Sequence, residues 1–248
     1  QLTSLDVSKN TALAELFCQR NPLVVLKASS DSMNCYENPL SAFVINDKNE
    51  FDITAYGGSA DNIISDSITG GKIDENGIIK PDENSLKVTY EYKYNDKGDT
   101  ITCSVGFVIA VNETNFPDEN FRNYIKSELT DSNGNKVGGN GILTADEIAA
   151  VTEINVGDKN ISSLKGIEYF TKLKELECYN NKLTKLDVSR NTELTTLVCS
   201  NNQLTSLDVS KNTKLTILTC SANKLTKLDV INNTELKELY CDTNSLTA

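Results

Sequence analysis

One acidic stretch, rich in asparagine and glycine, carries side chains that could bind calcium. Asp131, Asn133 and Asn135 have the spacing of the first three ligands of an EF-hand loop, and Glu147 could supply the last ligand. The two halves of this pattern are out of phase. Counting back from Glu147 puts the first ligand position on Lys136 instead of Asp131.

Two interpretations of this stretch therefore stay open. It is either an EF-hand-like loop with an insertion, which would hold a structural calcium ion, or a metal-free helical cap. The misplaced ligand positions favour the cap. Apart from this candidate calcium ion, we expect no cofactor.

A second set of chemically distinctive residues is a series of cysteines that recur every 21 residues: Cys178, Cys199, Cys220 and Cys241, with Cys18 in an equivalent place near the start. Stacked strands hold equivalent residues about 4.8 Å apart, whereas a disulfide needs Cβ atoms about 3.5–4.5 Å apart in a specific geometry. A metal site would need closely spaced cysteine pairs or histidines. We expect reduced, buried thiols that pack as small hydrophobes.

The composition argues against several classes of function. The chain has no histidine, which removes the commonest general base and the Ser-His and Cys-His pairs, so we predict that it is not an enzyme. Its net charge of −11 disfavours nucleic acid as a partner. No apolar run is long enough to be a transmembrane segment.

The 21-residue period predicts the elements that position these side chains. KLKELECYNNKLTKLDVSRNT at Lys172–Thr192 is followed by two close copies, Glu193–Thr213 and Lys214–Thr234, and this pattern is typical of leucine-rich repeats. Apolar residues recur twice per repeat, so we expect an extended segment on each long side of a coil. The recurrent Asn181, Asn202, Asn223 and Asn244 should turn inward and bond backbone groups at the bend.

The repeat also fixes the predicted domain order. QLTSLDVSKNT at Gln1–Thr11 returns at Gln203–Thr213, at a separation that is not a multiple of 21, so two arrays must be divided by something else. Between them, LKVTYEYKYND and TITCSVGFVIA alternate like the strands of a hairpin with one buried side. We predict the following domains: 1–45, the end of a first array; 46–112, a small β-sandwich-like domain; 113–150, a helical EF-hand-like cap; and 151–248, a second array.

VTEINVGDKNISSLKGIEYFTKLKELEC, following the predicted cap, resembles the start of the repeats in internalin-like bacterial surface proteins. The departures are a repeat of 21 residues instead of 22 and cysteine in place of leucine. The resemblance implies a mainly β fold in which two solenoid segments are separated by a small antiparallel, Ig-like β domain and a helical cap. It also implies a secreted or cell-surface location and a role in adhesion or recognition.

The outward positions of the first strand of each repeat form the predicted partner-binding surface: Glu175, Glu177, Tyr179, Val198, Ile217, Thr219, Glu238, Tyr240 and Asp242. Variable residues on a regular scaffold suit recognition, and tyrosine is a favoured contact residue. We predict a non-enzymatic module that binds a protein or glycan on a host or other surface. The alternative is a structural spacer that displays other domains. Because both ends fall inside a repeat, we expect a longer natural polypeptide or ends that pack on a neighbour.

Overall fold

A computed structural model describes residues 4–7, 25–28, 42–44, 50–56, 58–82, 85–93, 98 and 100–247. The chain divides into two compact units, Gln1–Val108 and Ile109–Ala248. Parallel stacked coils and separate antiparallel sheets dominate these residues, with two short α-helices, so the predicted mainly β solenoid class is confirmed. The prediction for Cys18 falls outside the described residues.

Strands β1 (Ser4–Val7) and β2 (Val25–Ala28) open the first unit. They pair in parallel, with Ser4 opposite Val25. This offset equals one repeat, as expected for neighbouring coils of a solenoid. The 1–45 boundary of the predicted first array stays a prediction.

The rest of the first unit contains two sheets built from short strands: β3 (Ala42–Val44), β4 (Phe51–Asp52), β5 (Gly71–Ile73), β6 (Ile78–Pro81), β7 (Lys87–Lys93) and β8 (Thr100–Ala110). One sheet has the neighbours β3, β8 and β7 in that order, and the other has the order β4, β6, β5. The predicted hairpin is confirmed, because β7 and β8 pair antiparallel. Tyr90 and Tyr92 are buried on it, so these two tyrosines belong to the core. The Ig-like assignment stays a prediction.

The second unit begins with the cap, which comprises α1 (Glu119–Ser127), β9 (Ile142–Thr144) and α2 (Ala145–Ala150). Helix α1 buries Phe121 and Ile125. Helix α2 opens with a capping box, in which Thr144 and Glu147 bond each other's backbone N–H groups.

Asp118 joins α1 to the first coil of the second array. Its carboxylate accepts the N–H of Phe121 at 3.0 Å, which caps the helix, and both the N–H (2.8 Å) and the hydroxyl (2.7 Å) of Ser162. Desolvation raises the pKa of Asp118, but these hydrogen bonds outweigh it and leave the pKa below its ordinary value. The ionised carboxylate is therefore the form that the fold stabilises.

Five parallel strands form the ladder of the second array: β10 (Glu153–Asn155), β11 (Glu175–Glu177), β12 (Thr196–Val198), β13 (Ile217–Thr219) and β14 (Glu238–Tyr240). Each residue pairs with the equivalent residue of the next coil. The central leucines of β11, β12 and β13 point inward, and Leu176, Leu197 and Leu218 are fully buried. Their burial favours this register, since a slip of one residue would expose them.

The opposite long side of the coils differs from the prediction of a second extended segment. Among the described residues, the only strand-like pairing there is the parallel bridge between Asp187 and Asp208. Asp187 accepts the N–H of Ser189, and Asp208 accepts that of Ser210, both at 2.9 Å. These local turns compete with a longer strand for the same backbone groups.

The predicted asparagine ladder at the bend is confirmed. Asn202 is 8% exposed, and its Nδ2 donates to the carbonyl oxygens of Cys178 at 2.9 Å and Cys199 at 3.1 Å. Its Oδ1 accepts the N–H of Leu183 at 3.0 Å. One side chain therefore pairs backbone groups of two coils, and the same pattern recurs at Asn181, Asn223 and Asn244.

A second asparagine ladder was not predicted. Asn212 is fully buried and donates to the carbonyl oxygens of Val188 and Asn191, both at 2.9 Å. Asn191 and Asn233 repeat this arrangement. The Asn-Thr pair that ends each repeat was the available signal.

Replacing Asn202 by leucine should lower the free energy of unfolding by about 1–3 kcal/mol, because the buried N–H of Leu183 loses its acceptor. The carbonyl oxygens of Cys178 and Cys199 each lose one of two asparagine donors. Urea denaturation measures this change. Asn201→Gly is the matched control and should be close to neutral, since Asn201 is exposed with φ 54°, a conformation that glycine adopts freely. Equal loss in both variants would contradict the ladder's role.

Asp118→Asn should destabilise the protein at neutral pH, with a deficit that shrinks in acid. The lowered folded-state pKa means that the carboxylate contributes stability above its unfolded pKa and loses it as the pH falls through the folded pKa. Melting temperatures at about pH 7 and about pH 3 test this. A pH-independent deficit for Asp118→Asn would contradict the prediction.

Candidate partner-binding face

The outward side chains of β10–β14 and the residues that directly follow form one surface, which we call the strand face. Alternation along each strand turns them away from the core. Equivalent positions of neighbouring coils lie about 4.8 Å apart. The strand face comprises Glu153, Asn155, Gly157, Glu175, Glu177, Tyr179, Thr196, Val198, Ser200, Ile217, Thr219, Ser221, Glu238, Tyr240 and Asp242.

All the residues predicted from the sequence to bind a partner lie on this face. The exposed members are Glu175, Glu238, Tyr240 and Asp242. The half-buried members are Glu177, Tyr179, Val198, Ile217 and Thr219. The parallel register brings them together, although they are distant in sequence.

Every charged residue of the strand face is acidic. Glu153 lies directly opposite Glu175 in the register of β10 and β11. Like charges in that arrangement repel, and neither carboxylate has a hydrogen bond or an ion pair within the described part of the chain. Sequence reasoning missed this pair because Glu153 precedes the regular repeats.

The three other carboxylates of the face have local partners. Glu177 accepts a hydrogen bond from Nδ2 of Asn155 at 2.7 Å, and Glu238 accepts the hydroxyl of Tyr240 at 3.4 Å. Asp242 accepts the hydroxyl of Ser221 at 2.6 Å, and this bond, helped by Thr243, holds the pKa of Asp242 below its ordinary value. All of these bonds come from neutral groups, so the negative charges are not neutralised.

The ring of Tyr179 lies directly on the backbone of Gly157. A Cβ atom at position 157 would meet Cε1 of that ring at 2.6 Å, so no larger residue fits there without moving the tyrosine. Gly157 is thus a positioning residue that the sequence analysis missed. The feature of the sequence that could have identified it is a glycine at the position equivalent to Tyr179 in the preceding coil.

Between the two acidic ends, the strand face is neutral. Thr196, Val198, Ile217 and Thr219 are half-buried. Ser200 is 9% exposed, and its hydroxyl has no hydrogen-bond partner in the described part of the chain. Tyr240, at 52% exposure, is the most exposed aromatic residue of the face.

Directly beneath the strand face runs the cysteine ladder. Cys178, Cys199 and Cys220 are free and fully buried, as predicted. Cys241 is also free but only partly buried, so the prediction of a buried thiol is wrong there. Burial raises the pKa of Cys178 to about 12 and, with nearby Cys241 and Asp242, that of Cys220 to about 11. These thiols stay protonated at neutral pH and are poor nucleophiles.

Comparison with known proteins agrees with this arrangement. No family model and no curated protein matches the chain. Among solved structures, it is similar to the functional domain of InlJ from Listeria monocytogenes, which is described as including a cysteine ladder. The identity is 38%, the TM-score is 0.50, and the match covers 56% of this chain and 30% of the InlJ chain.

The chain carries an internalin-like leucine-rich-repeat array. An internalin, InlF of the same organism, is also similar, at 20% identity and a TM-score of 0.42, over 55% of this chain and 46% of its own. Because that TM-score is low, no argument rests on the likeness to InlF. The chain spans less than a third of the InlJ chain that it matches.

The candidate calcium residues beside the internalin-like array form a hydrogen-bonded turn. Asp131 accepts the N–H groups of Asn133 and Asn135 at 2.8 Å and the Nδ2 of Asn135 at 2.9 Å. The side-chain bond from Asn135 is the main cause that lowers the pKa of Asp131. Glu147 is hydrogen-bonded to Thr144 in the capping box.

An equivalent turn occurs in the first unit, where Asp74 accepts the N–H groups of Asn76 and Ile78 at 2.9 and 3.0 Å. The Asp-x-Asn-Gly sequence common to both sites therefore explains the grouping of Asp131, Asn133 and Asn135 without an ion. Within the described ranges, no cluster of three or more His, Cys, Asp or Glu residues could hold a metal ion. Calcium binding, which involves asparagine ligands as well, stays a prediction.

Thiol labelling tests the geometry of the cysteine ladder. In the native protein at about pH 8, a maleimide should modify Cys241, which is partly exposed, well before Cys178, Cys199 or Cys220. Raising the pH to about 9 should not abolish this protection, because the thiol of Cys178 has a pKa of about 12. Peptide mapping by mass spectrometry gives the order, and all four should react alike in urea. Equal native rates at Cys199 and Cys241 would contradict the buried ladder.

Proposed function

We propose that this chain is a non-enzymatic protein-binding and adhesion module of a secreted or surface-exposed bacterial protein, and that the strand face contacts the partner. The observation that carries the proposal is the contrast between the two sides of the same strands. Inward positions repeat leucine and cysteine in each coil, whereas outward positions change from glutamate to threonine, isoleucine and tyrosine.

The physical reason is that stacking constrains only one side. An inward residue must match the residues above and below it, because the interior is close-packed. An outward residue has no such requirement, so its identity is free to serve recognition. Tyr179, fixed on Gly157, and Tyr240 are the contact residues that lose little side-chain freedom on binding.

Further support comes from what the chain lacks and from its relative. There is no histidine, and the buried thiols of the ladder have raised pKa values. Within the described residues, no helix has the length and apolar character to cross a membrane. The similar InlJ segment is described as a functional domain, which supports a functional role for the array.

The alternative is a structural spacer. A stacked array adds about 4.8 Å of length per coil and would hold other domains away from a surface. Binding of the purified chain to host cells, mucin or a glycan panel distinguishes the two, because a spacer would bind none of them.

Replacing both Tyr179 and Tyr240 by alanine should weaken partner capture at least about tenfold, the usual loss for truncated aromatic contacts, without lowering the melting temperature appreciably. Surface plasmon resonance on the captured partner measures the affinity. Ile231→Ser is the control, since Ile231 is 78% exposed, lies outside the strand face, and has serine at the equivalent positions 189 and 210. Unchanged affinity in the double variant would reject this surface.

A further inference from the structure

We infer that the occupant of the strand face is an extended, basic polypeptide segment whose cationic side chains flank a short uncharged centre. This inference rests on the proposed function and adds the chemical class of the partner. Charge complementarity carries it, together with the distance between the acidic ends of the face.

The first step is the unbalanced charge. The strand face holds Glu153, Glu175, Glu177, Glu238 and Asp242 and neither lysine nor arginine. Glu153 and Glu175 repel each other across adjacent strands. A cationic group placed between them would relieve this repulsion, whereas an anionic partner would add to it.

Another pair of opposed carboxylates has hydrogen bonds that Glu153 and Glu175 lack. Asp187 and Asp208 also lie opposite each other, but each accepts a backbone N–H. The side-chain and backbone hydrogen bonds from Ser189 lower the pKa of Asp187, and the backbone and side-chain bonds from Ser210 lower that of Asp208. These carboxylates therefore have a structural role. Glu153 and Glu175 have no such bond among the described residues, so their charge remains available to a partner.

The second step is the spacing. The acidic residues of β11 and β14 are three strand spacings apart, or about 14 Å. An extended chain rises about 3.4 Å per residue, so about four residues bridge the two acidic ends when the segment crosses the strands. In between, the segment passes over Thr196, Val198, Ile217 and Thr219, which suit uncharged side chains.

The third step is the preformed contact beside the first acidic end. The ring of Tyr179 is held on Gly157 and is two residues from the carboxylate of Glu177 on the same face. A lysine or arginine can therefore pair with the carboxylate and lie against an aromatic ring. Ser200 occupies the position equivalent to Tyr179 in the next coil. Its hydroxyl has no hydrogen-bond partner among the described residues and adds a hydrogen-bonding group there.

A synthetic peptide tests this directly. The probe is a blocked, fluorescein-labelled peptide with two lysines, isoleucine, threonine, isoleucine and two lysines, titrated with the whole chain by fluorescence anisotropy. We expect binding at about 0.05 M salt that weakens strongly at about 0.5 M, because exposed charges are screened. A peptide of the same composition with its lysines contiguous should bind at least about threefold more weakly, and one with glutamates in place of lysines should not bind.

Variants separate this role from a structural one. Glu175→Gln with Glu177→Gln should weaken the probe at least about tenfold while leaving the melting temperature unchanged or raising it, since the repulsion with Glu153 is removed. Glu193→Gln is the matched control, because Glu193 pairs with Lys214 and lies outside the strand face. It should leave probe affinity unchanged.

Three outcomes would overturn the inference: no binding of the lysine probe at low salt, equal binding of the glutamate peptide, or equal loss in the Glu193→Gln control. Each is distinguishable from a failure of the proposed function. If the tyrosine variants still abolish capture of a cellular partner while the lysine probe fails, the face binds a partner of another chemistry and only the present inference falls.

Discussion

The constraint on which the second array depends is that the backbone groups at each bend must be paired inside a dry stack. A bend leaves N–H and C=O groups that no strand satisfies, and an unpaired buried group costs about 1–3 kcal/mol. Asn202 meets this demand by joining the carbonyl oxygens of two coils to the N–H of a third backbone segment. Because the side chain reaches the preceding coil, one coil cannot complete its hydrogen bonds alone, and stacking is part of the local structure.

That constraint also explains why the interior and the strand face have separate roles. The backbone carbonyl oxygens of the cysteines are acceptors for the asparagine ladder, and that of Val156 has the same role in the first coil. The side chain at this position is inside the stack, so it must be apolar, and cysteine meets that need. The thiols of Cys178, Cys199 and Cys220 are enclosed and unreactive, so the proposed recognition would use the outward side chains.

The period of 21 was enough to predict the solenoid, the buried thiols and the ladder at Asn181, Asn202, Asn223 and Asn244, because all of them repeat with the coils. Features that occur once were missed. Gly157 has its positioning role only because the ring of Tyr179, one coil later, lies on it. Glu153 contributes to a like-charged pair only because the register places it opposite Glu175. The Asp-x-Asn-Gly stretch offered possible calcium ligands, yet the same residues are also turn formers, and only the misplaced ligand positions favoured the metal-free cap. Opposite the strands, the turns at Asp187 and Asp208 replaced a predicted extended segment, since a local side-chain bond competed with the ladder.

The exposed carboxylates of Glu153 and Glu175 show where this fold can tolerate an unfavourable interaction. The ladder around this pair is held together by many hydrogen bonds. Each coil is fixed by its inward leucines and its asparagines, so repulsion between Glu153 and Glu175 cannot shift the register without exposing Leu176 and breaking the bonds of Asn181. The scaffold therefore holds the two carboxylates closer than they would remain in a flexible chain. A rigid surface that keeps its charges in place loses little entropy when a complementary cation arrives. In such a solenoid, the rigidity needed for folding is the same property that would prepare the outer face for the proposed binding.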